Sequence, residues 1–256
     1  MIEIKHQYIV GDKFGKFTKN SFIISASEAE KIFSDNLKIM HRYFHVGQGI
    51  SRSRLEIMIE LLKKQGIDPY TVLLGHETIF NKASKEIVHK HKIENVLIST
   101  PVRIEKNRFK SDLVIDEECA EMSDHITGQH LQGMLLIEAA RQMMTATYET
   151  HILPEVQQQN MNFILNSIRS NFKNFVFPLP VSLELEIINH RKMSSHGYVC
   201  SIKVFFTQEL QIVHEIEIDF SIFSPIIFSS VERRVITSLS KVLETFSKNR
   251  TGECVL

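Results

Sequence analysis

The 256-residue sequence lacks tryptophan and has only three cysteines, Cys119, Cys200 and Cys254, which lie far apart. Three widely spaced cysteines without a Cys-x-x-Cys pair exclude a disulfide framework and a cysteine-based zinc site, and they are typical of a reducing compartment. His41 and His45 have the i, i+4 spacing of a metal pair, but no third ligand follows at a useful spacing. We therefore expect neither a metal ion nor another cofactor.

Net charge is also absent, because 30 lysine and arginine residues balance 30 aspartate and glutamate residues. Such a balance disfavours binding to nucleic acid or to an anionic membrane surface. No apolar run approaches the roughly 20 residues that a membrane-spanning helix needs. The N-terminal segment alternates charged and apolar residues, unlike a signal peptide. The sequence therefore predicts a cytoplasmic protein without nucleic acid or membrane partners.

What the sequence does contain is one long apolar segment, QGMLLIEAARQMMTATY, which runs from Gln132 to Tyr148. It has no proline, and its apolar residues would cover most of a helix surface, which predicts a helix that is buried on most sides. Four polar side chains at the spacing i, i+3, i+4 and i+7 form one stripe on this helix, namely Glu138, Arg141, Gln142 and Thr145. A polar stripe on a buried helix requires an explanation.

Segments with strand character surround this helix. Before it, residues 94–100 and 108–116 are rich in β-branched residues or alternate apolar with polar residues, which predicts a hairpin. After it come four further strand candidates, at residues 162–172, 181–190, 198–207 and 211–223. This order predicts an α+β protein in which an antiparallel sheet wraps around a single central helix.

The two ends of the chain have a different character. Residues 2–10 and 17–24 predict a hairpin, and Ser27 with Glu30 has the spacing of a helix capping box. Near the C-terminus, residues 232–246 predict a surface helix. We therefore divide the chain into three parts: a mixed α/β extension at 1–85, a sheet-and-helix domain at 86–228, and a C-terminal helix and tail at 229–256.

The segment DHITGQHLQGMLLIEAARQ, from Asp124 to Gln142, resembles the second signature of the A-factor biosynthesis (AfsA-like) family, a branch of the hotdog-fold acyl-thioester enzymes. The preceding segment, VHKHKIENVLISTPVRIEKNRFKSDLVI, resembles the start of a module in that family, which opens with Val-His and a short hairpin. The helix is also similar to that of the acyl-carrier-protein dehydratases. These resemblances span roughly residues 87–223 and imply a hotdog fold.

The family resemblance implies transfer of a β-ketoacyl group from a carrier-protein or CoA thioester to the hydroxyl of a small phosphorylated alcohol, such as dihydroxyacetone phosphate, in butyrolactone or secondary-metabolite biosynthesis. Glu138 and Arg141 are implied to be the functional pair, with Gln142 beside them. The chain departs from the family in three ways. It has one clear helix motif where makers of butyrolactone signals usually carry two, it has Gln132-Gly133 where Pro-Gly is usual, and its loop from Asp124 is one residue longer.

The polar residues of the motif suit acyl-thioester chemistry. Burial raises and Arg141 lowers the pKa of Glu138, so we expect a general base that works near neutral pH. Arg141 could hold a phosphate or carboxylate, or it could orient Glu138. His125 and His130 could polarise the thioester carbonyl or exchange a proton across a dimer interface. The alternative interpretation is an internal Glu138–Arg141 ion pair that fixes the helix, with both histidines bound to the loop backbone.

Three further residues complete the predicted site. Gly128 and Gly133 permit close approach of the backbone to a thioester carbonyl, or they serve only as turn residues. Met134 suits a flexible acyl tunnel as well as core packing.

We also expect a homodimer, because a single hotdog domain leaves one sheet edge unpaired. The partner of the site would be an acyl carrier protein or CoA thioester, with a small phosphorylated acceptor. Two alternatives stay open at this point. One is dehydration or hydrolysis of an acyl thioester, and the other is acyl binding without catalysis.

Overall fold

The computed structural model describes residues 4–124, 127–153, 161–194 and 197–252, which form two β-sheets. The N-terminal sheet is parallel, with the strand order β2-β1-β3-β4. Its strands are β1 Lys5–Val10, β2 Ile23–Ser25, β3 Arg42–Val46 and β4 Leu73–Leu74. The helices of this region are α1 Ala26–Phe33, α2 Asn36–Ile39, α3 Arg52–Lys64, α4 Pro69–Val72 and α5 Glu77–Phe80. Buried side chains of α1 and α3 pack with those of β1 and β3 in one apolar cluster.

The predicted N-terminal hairpin is wrong, because β1 and β2 pair in parallel with Tyr8 opposite Ile23. A hairpin needs a short turn, whereas two short 3-10 helices, Asp12–Phe14 and Phe17–Lys19, lie in this connection and carry the chain back to start β2 in the same direction as β1. The predicted capping box is also displaced by two residues. Ser25 caps α1, and the Glu28 side chain completes the box.

The second sheet has six antiparallel strands in the order β5-β6-β8-β9-β10-β7. Its strands are β5 Val102–Glu105, β6 Arg108–Asp112, β7 Asn162–Phe172, β8 Ser182–Ser194, β9 Gly197–Gln208 and β10 Gln211–Phe223. The remaining helices are the 3-10 helix Ile93–Asn95, α6 Ala120–Asp124, α7 Gly133–Thr147 with a π-helical turn at Tyr148–Ile152, and α8 Pro225–Gly252. On β9 every second residue from Cys200 to Gln208 is buried, as expected for a strand with one face on a core.

The central helix α7 packs into the core formed by this sheet. Leu135, Leu136, Ala139, Ala140 and Met143 are almost fully buried and belong to the same apolar cluster as the buried residues of β8, β9 and β10. The α+β class and the hotdog fold predicted from the sequence are therefore confirmed.

Two details of this domain differ from the sequence-based expectation. The hairpin is formed by β5 and β6, whereas residues 94–100 contain a 3-10 turn and two isolated bridges, Ile98 with Leu113 and Ser99 with Lys82. Met134 is 69% exposed, so its expected place in the core is wrong. It lies in the first turn of α7, where Leu135 and Leu136 are buried, and it faces away from the core.

Helix α8 begins at Pro225, earlier than predicted, and several of its apolar side chains are exposed, including Val235, Leu239 and Leu243. No helix in the part of the chain that the structure describes is both long enough and apolar enough to cross a bilayer.

The two sheets are joined by polar and glycine contacts after β3. The buried Gln48 side chain donates from Nε2 to the Leu113 carbonyl and accepts at Oε1 from the Ile115 amide, at 2.9 and 2.8 Å. Gly49 has a φ of +80°, and its carbonyl oxygen would lie 1.9 Å from a Cβ at Gly11, so a side chain at Gly11 would clash. The predicted boundary at residue 85 stays a prediction.

We expect Gln48→Ala to lower the free energy of unfolding by about 2 to 4 kcal/mol, because it leaves a buried backbone donor and a buried acceptor unpaired. Urea denaturation would measure the loss. Gln65→Ala is the matched control, since the Gln65 amide makes one exposed contact to the Ser34 carbonyl. A loss below about 0.5 kcal/mol for Gln48→Ala, as is usual for a surface substitution, would contradict this account of the junction.

Candidate functional site

The polar stripe of α7 is organised around the Glu138 carboxylate. Arg141 binds it with two hydrogen bonds, from Nε to Oε2 and from Nη2 to Oε1, both 2.8 Å long. Nη2 also donates to the Val88 carbonyl at 2.9 Å. This bidentate pair is the strong form of an arginine–carboxylate interaction, and it fixes the plane of the guanidinium group.

Two more side chains bind the same carboxylate. The Lys90 ammonium lies 2.9 Å from Glu138 Oε1 and 3.0 Å from Glu121 Oε1. Gln142 donates from Nε2 to Glu138 at 3.0 Å and to the Asn95 carbonyl at 2.9 Å. The Gln142 side chain is fully buried, and its Oε1 accepts a hydrogen bond from the amide of residue 97 at 2.8 Å. The stripe therefore attaches α7 to the segment that precedes the hairpin.

These contacts determine the ionisation of Glu138. Burial raises the pKa of the Glu138 carboxyl group, but the hydrogen bonds and charge of Arg141, with hydrogen bonds from Gln142 and Lys90, outweigh it and lower the pKa to about 2. The pKa of Lys90 is lowered by burial and raised more strongly by Glu138 and Glu121. The expectation of a Glu138 pKa suited to a base near neutral pH is therefore wrong, because the hydrogen bonds and charge of Arg141, with smaller contributions from Gln142 and Lys90, outweigh the effect of burial.

Lys90 is the residue that sequence reasoning missed in this cluster. It belongs to the VHKHK segment that carries part of the family resemblance, and that segment was the available signal. Neither periodicity nor spacing could show that the chain folds back here to place a cation on the helix stripe. The role of Glu138, Arg141 and Gln142 in binding or catalysis stays a prediction, but the structure does bring the three residues together.

His130 and Gly133 lie in a separate groove at the start of α7. The groove has a volume of about 500 Å³, and its walls include Leu136, Phe172 and Phe175. The His130 ring packs on Phe175 with 4.9 Å between ring centroids. A Cβ at Gly133 would lie 2.7 Å from the Phe172 ring, so a side chain at this position would force the ring to shift. The groove does not include Glu138.

The other predicted site residues are dispersed. Gly128 has a φ of +79°, and its carbonyl accepts the backbone amides of Lys16 and Phe17. It therefore attaches the loop to the N-terminal extension. Met134 projects outward from the first turn of α7. His125 lies outside the described residues.

No three histidine, cysteine, aspartate or glutamate side chains within residues 4–124, 127–153, 161–194 and 197–252 are arranged to hold a metal ion. What the described cluster offers instead is a fixed carboxylate, an ammonium and a guanidinium group. Of the Arg141 side chain, 26% is exposed, so ligands can reach it. Such a set can bind an anionic or polar ligand.

Comparison with known proteins identifies one matching family. The sequence profile of the A-factor biosynthesis hotdog domain matches residues 76–224, more than half of the chain. No curated protein sequence matches the chain.

Similar solved structures include a mutant thioesterase from Pseudomonas aeruginosa, at 10% identity and a TM-score of 0.40, with 56% of this chain and 95% of that chain covered. A thioesterase from Haemophilus influenzae has 14% identity and a TM-score of 0.36, covering 50% and 78%. A hypothetical thioesterase with coenzyme A from Streptococcus pneumoniae has 10% identity and a TM-score of 0.34, covering 48% and 84%. At such low identity and TM-score, this likeness says nothing about the substrate of the chain.

The lowered pKa of Glu138 has a consequence for stability. Its folded-state pKa, about 2, is below the ordinary value of 4.5, so its contribution to stability is present above pH 4.5 and is lost as the pH falls toward 2. We therefore expect Glu138→Gln to destabilise the protein at pH 7 and to have progressively less effect down to pH 2.5. Denaturant unfolding of both proteins at several pH values would measure this difference.

Glu56→Gln is the control, because Glu56 pairs with Arg52 on the surface of α3 and about half of its side chain is exposed. Its effect should be small at every pH. An effect of Glu138→Gln that is equally large at pH 7 and pH 2.5 would contradict the ionised, triply bound state of Glu138.

Proposed function

Because the chain belongs to the A-factor biosynthesis hotdog family, we propose that it transfers an acyl group from a CoA or carrier-protein thioester to the hydroxyl group of a small phosphorylated acceptor. The observation that carries this proposal is the state of Arg141. Its Nε and Nη2 are bound by Glu138 and the Val88 carbonyl, whereas Nη1 has no partner among the described residues. A guanidinium group that is oriented in this way is preorganised to bind an anionic oxygen.

The start of α7 supports the proposal on the thioester side. The Gln132 side chain makes no cap for the helix and donates instead to the Glu121 carbonyl. The first amides of a helix have no partner within the helix. Such amides can stabilise the negative charge that develops on a thioester oxygen during acyl transfer. The apolar groove beside Gly133 suits an acyl chain.

Strand β7 supports a homodimer. It lies at one edge of its sheet and is 11 residues long. Three of its apolar side chains are exposed, namely Leu165, Ile168 and Phe172. An edge of this kind favours pairing with another strand. The start of α7 lies at the Phe172 end of β7, and the Val88–Lys90 segment lies at its Phe163 end. In an antiparallel pair of two β7 strands, the Phe163 end of one chain meets the Phe172 end of the other. The start of α7 from one chain would therefore approach the Val88–Lys90 segment of the other.

We expect the wild-type chain to form an acyl ester from a β-ketoacyl thioester only when the phosphorylated alcohol is present. Arg141→Ala should raise the KM for that alcohol by about 10- to 100-fold, which corresponds to the loss of one charge-assisted hydrogen bond. It should change the KM for the unphosphorylated alcohol much less. Product analysis by mass spectrometry with steady-state kinetics would measure both.

Arg52→Ala is the matched control, because the Arg52 side chain is 64% exposed on α3, away from β7 and the α7 stripe, and pairs with the surface Glu56. Free acid formed at the same rate without the alcohol would instead indicate hydrolysis, and an enoyl product would indicate dehydration. Either result would contradict the proposed transfer.

We also expect the protein in solution to have twice the 29.6 kDa mass of the chain. A lysine at the β7 edge should disfavour pairing, so Ile168→Lys should shift the mass toward that of one chain. Light scattering after gel filtration would measure the masses. Ile188→Lys, on the exposed face of the interior strand β8, is the control that should remain dimeric. A wild-type monomer would contradict the dimer.

A further inference from the structure

His89 and Glu149 form a second polar pair beside the Glu138 cluster. His89 Nε2 lies 2.9 Å from Glu149 Oε1. The Glu149 side chain is completely buried, whereas 38% of the His89 side chain is exposed. A carboxylate only accepts hydrogen bonds, so this contact places the proton of the imidazole on Nε2 and leaves Nδ1 as the basic nitrogen.

The backbone holds His89 in an unusual conformation. Its φ is +55°, a region that residues other than glycine seldom occupy. Contacts on both sides maintain it. The Val88 carbonyl accepts from Arg141, and the Lys90 ammonium binds Glu138. His89 is therefore preorganised next to the cluster.

Glu149 also lies at a backbone irregularity. Helix α7 changes to a π-helical turn at Tyr148–Ile152, and Glu149 is the second residue of that turn. Such turns are rare and often occur at functional sites, where they change the direction of a side chain. The His89 ring meets Phe163 edge-on, with 5.5 Å between ring centroids, which restricts rotation of the imidazole. Phe163 belongs to β7, the strand proposed to pair in the dimer.

Acyl transfer to an alcohol needs a group that accepts the hydroxyl proton. Glu138 does not suit this role, because its pKa is about 2 and three side chains bind its oxygens. His151 has Nε2 bound to the Pro101 carbonyl. His130 packs on Phe175, and no carboxylate lies in hydrogen-bonding contact with its ring within the described residues. A histidine oriented by a buried carboxylate is the usual proton acceptor in such reactions.

We propose that His89, oriented by Glu149, is the proton-transfer residue of this reaction. The inference rests on the proposed acyl transfer. His89 Nδ1 takes the proton of the acceptor hydroxyl group while the oxygen of that hydroxyl group forms a bond to the thioester carbonyl carbon. The carbon–sulfur bond then breaks, and the departing thiolate takes the proton from the imidazolium. The products are an acyl ester and a free thiol, and the imidazole is neutral again.

The variants His89→Asn and His89→Gln test the proposal. Asparagine tolerates a positive φ, so His89→Asn keeps the backbone conformation while it removes the base. We expect both variants to lower kcat by about 100- to 10,000-fold, with the KM for the thioester nearly unchanged. Glu149→Gln should cause a smaller loss in the same direction.

His91→Gln is the matched control, because His91 is an exposed histidine two residues along the same segment. It should retain the wild-type kcat and the wild-type KM for the thioester. Circular dichroism and thermal unfolding would show that each variant is folded. If the wild type transfers acyl groups and a folded His89→Asn or His89→Gln stays within about threefold of it, the role of His89 is overturned while the proposed function stands. A wild type that transfers no acyl group overturns both.

Discussion

The structure depends on one partly buried carboxylate that lies between two cations. Glu138 lies on a helix that packs into the core of the sheet, so most of its charge must be balanced by neighbouring groups. Arg141 comes from the same helix, and Lys90 comes from the segment that precedes the first hairpin. This arrangement fixes the helix and that segment to each other. Removal of either cation would leave a partly buried negative charge less compensated.

The same interaction connects structure with the proposed chemistry. Because Arg141 and Lys90 keep Glu138 ionised, the carboxylate holds the guanidinium in place and is a poor proton acceptor. The proposed division of labour follows from this constraint. Arg141 binds the anionic group of the acceptor, and His89 moves the proton. The amides at the start of α7 from the other chain of the proposed dimer bind the thioester oxygen. The segment Val88–Lys90 places His89 beside the cluster, because the residues before and after His89 are both bound to α7.

The parts of this fold that depend on local sequence could be predicted. Apolar periodicity gave the central helix, alternation gave β7 to β10, and spacing alone placed Glu138, Arg141 and Gln142 on one face. Contacts between distant segments could not be read in this way. His89 and Glu149 are 60 residues apart, and the parallel pairing of β1 with β2 depends on how their connection folds. Met134 was misplaced because apolar residues cover most of this helix, so the pattern alone does not show which side of its first turn faces solvent.

The most direct test of the central claim is a crystal structure with a stable thioether analogue of a β-ketoacyl-CoA and a phosphorylated alcohol. We expect the phosphate of the alcohol to bind Arg141 Nη1. We also expect the alcohol oxygen to lie about 3 Å from His89 Nδ1, and the acyl carbonyl carbon to lie within about 3.5 Å of that oxygen. An acyl group bound in a cavity remote from both Arg141 and His89, with the α7 stripe unoccupied, would contradict the account.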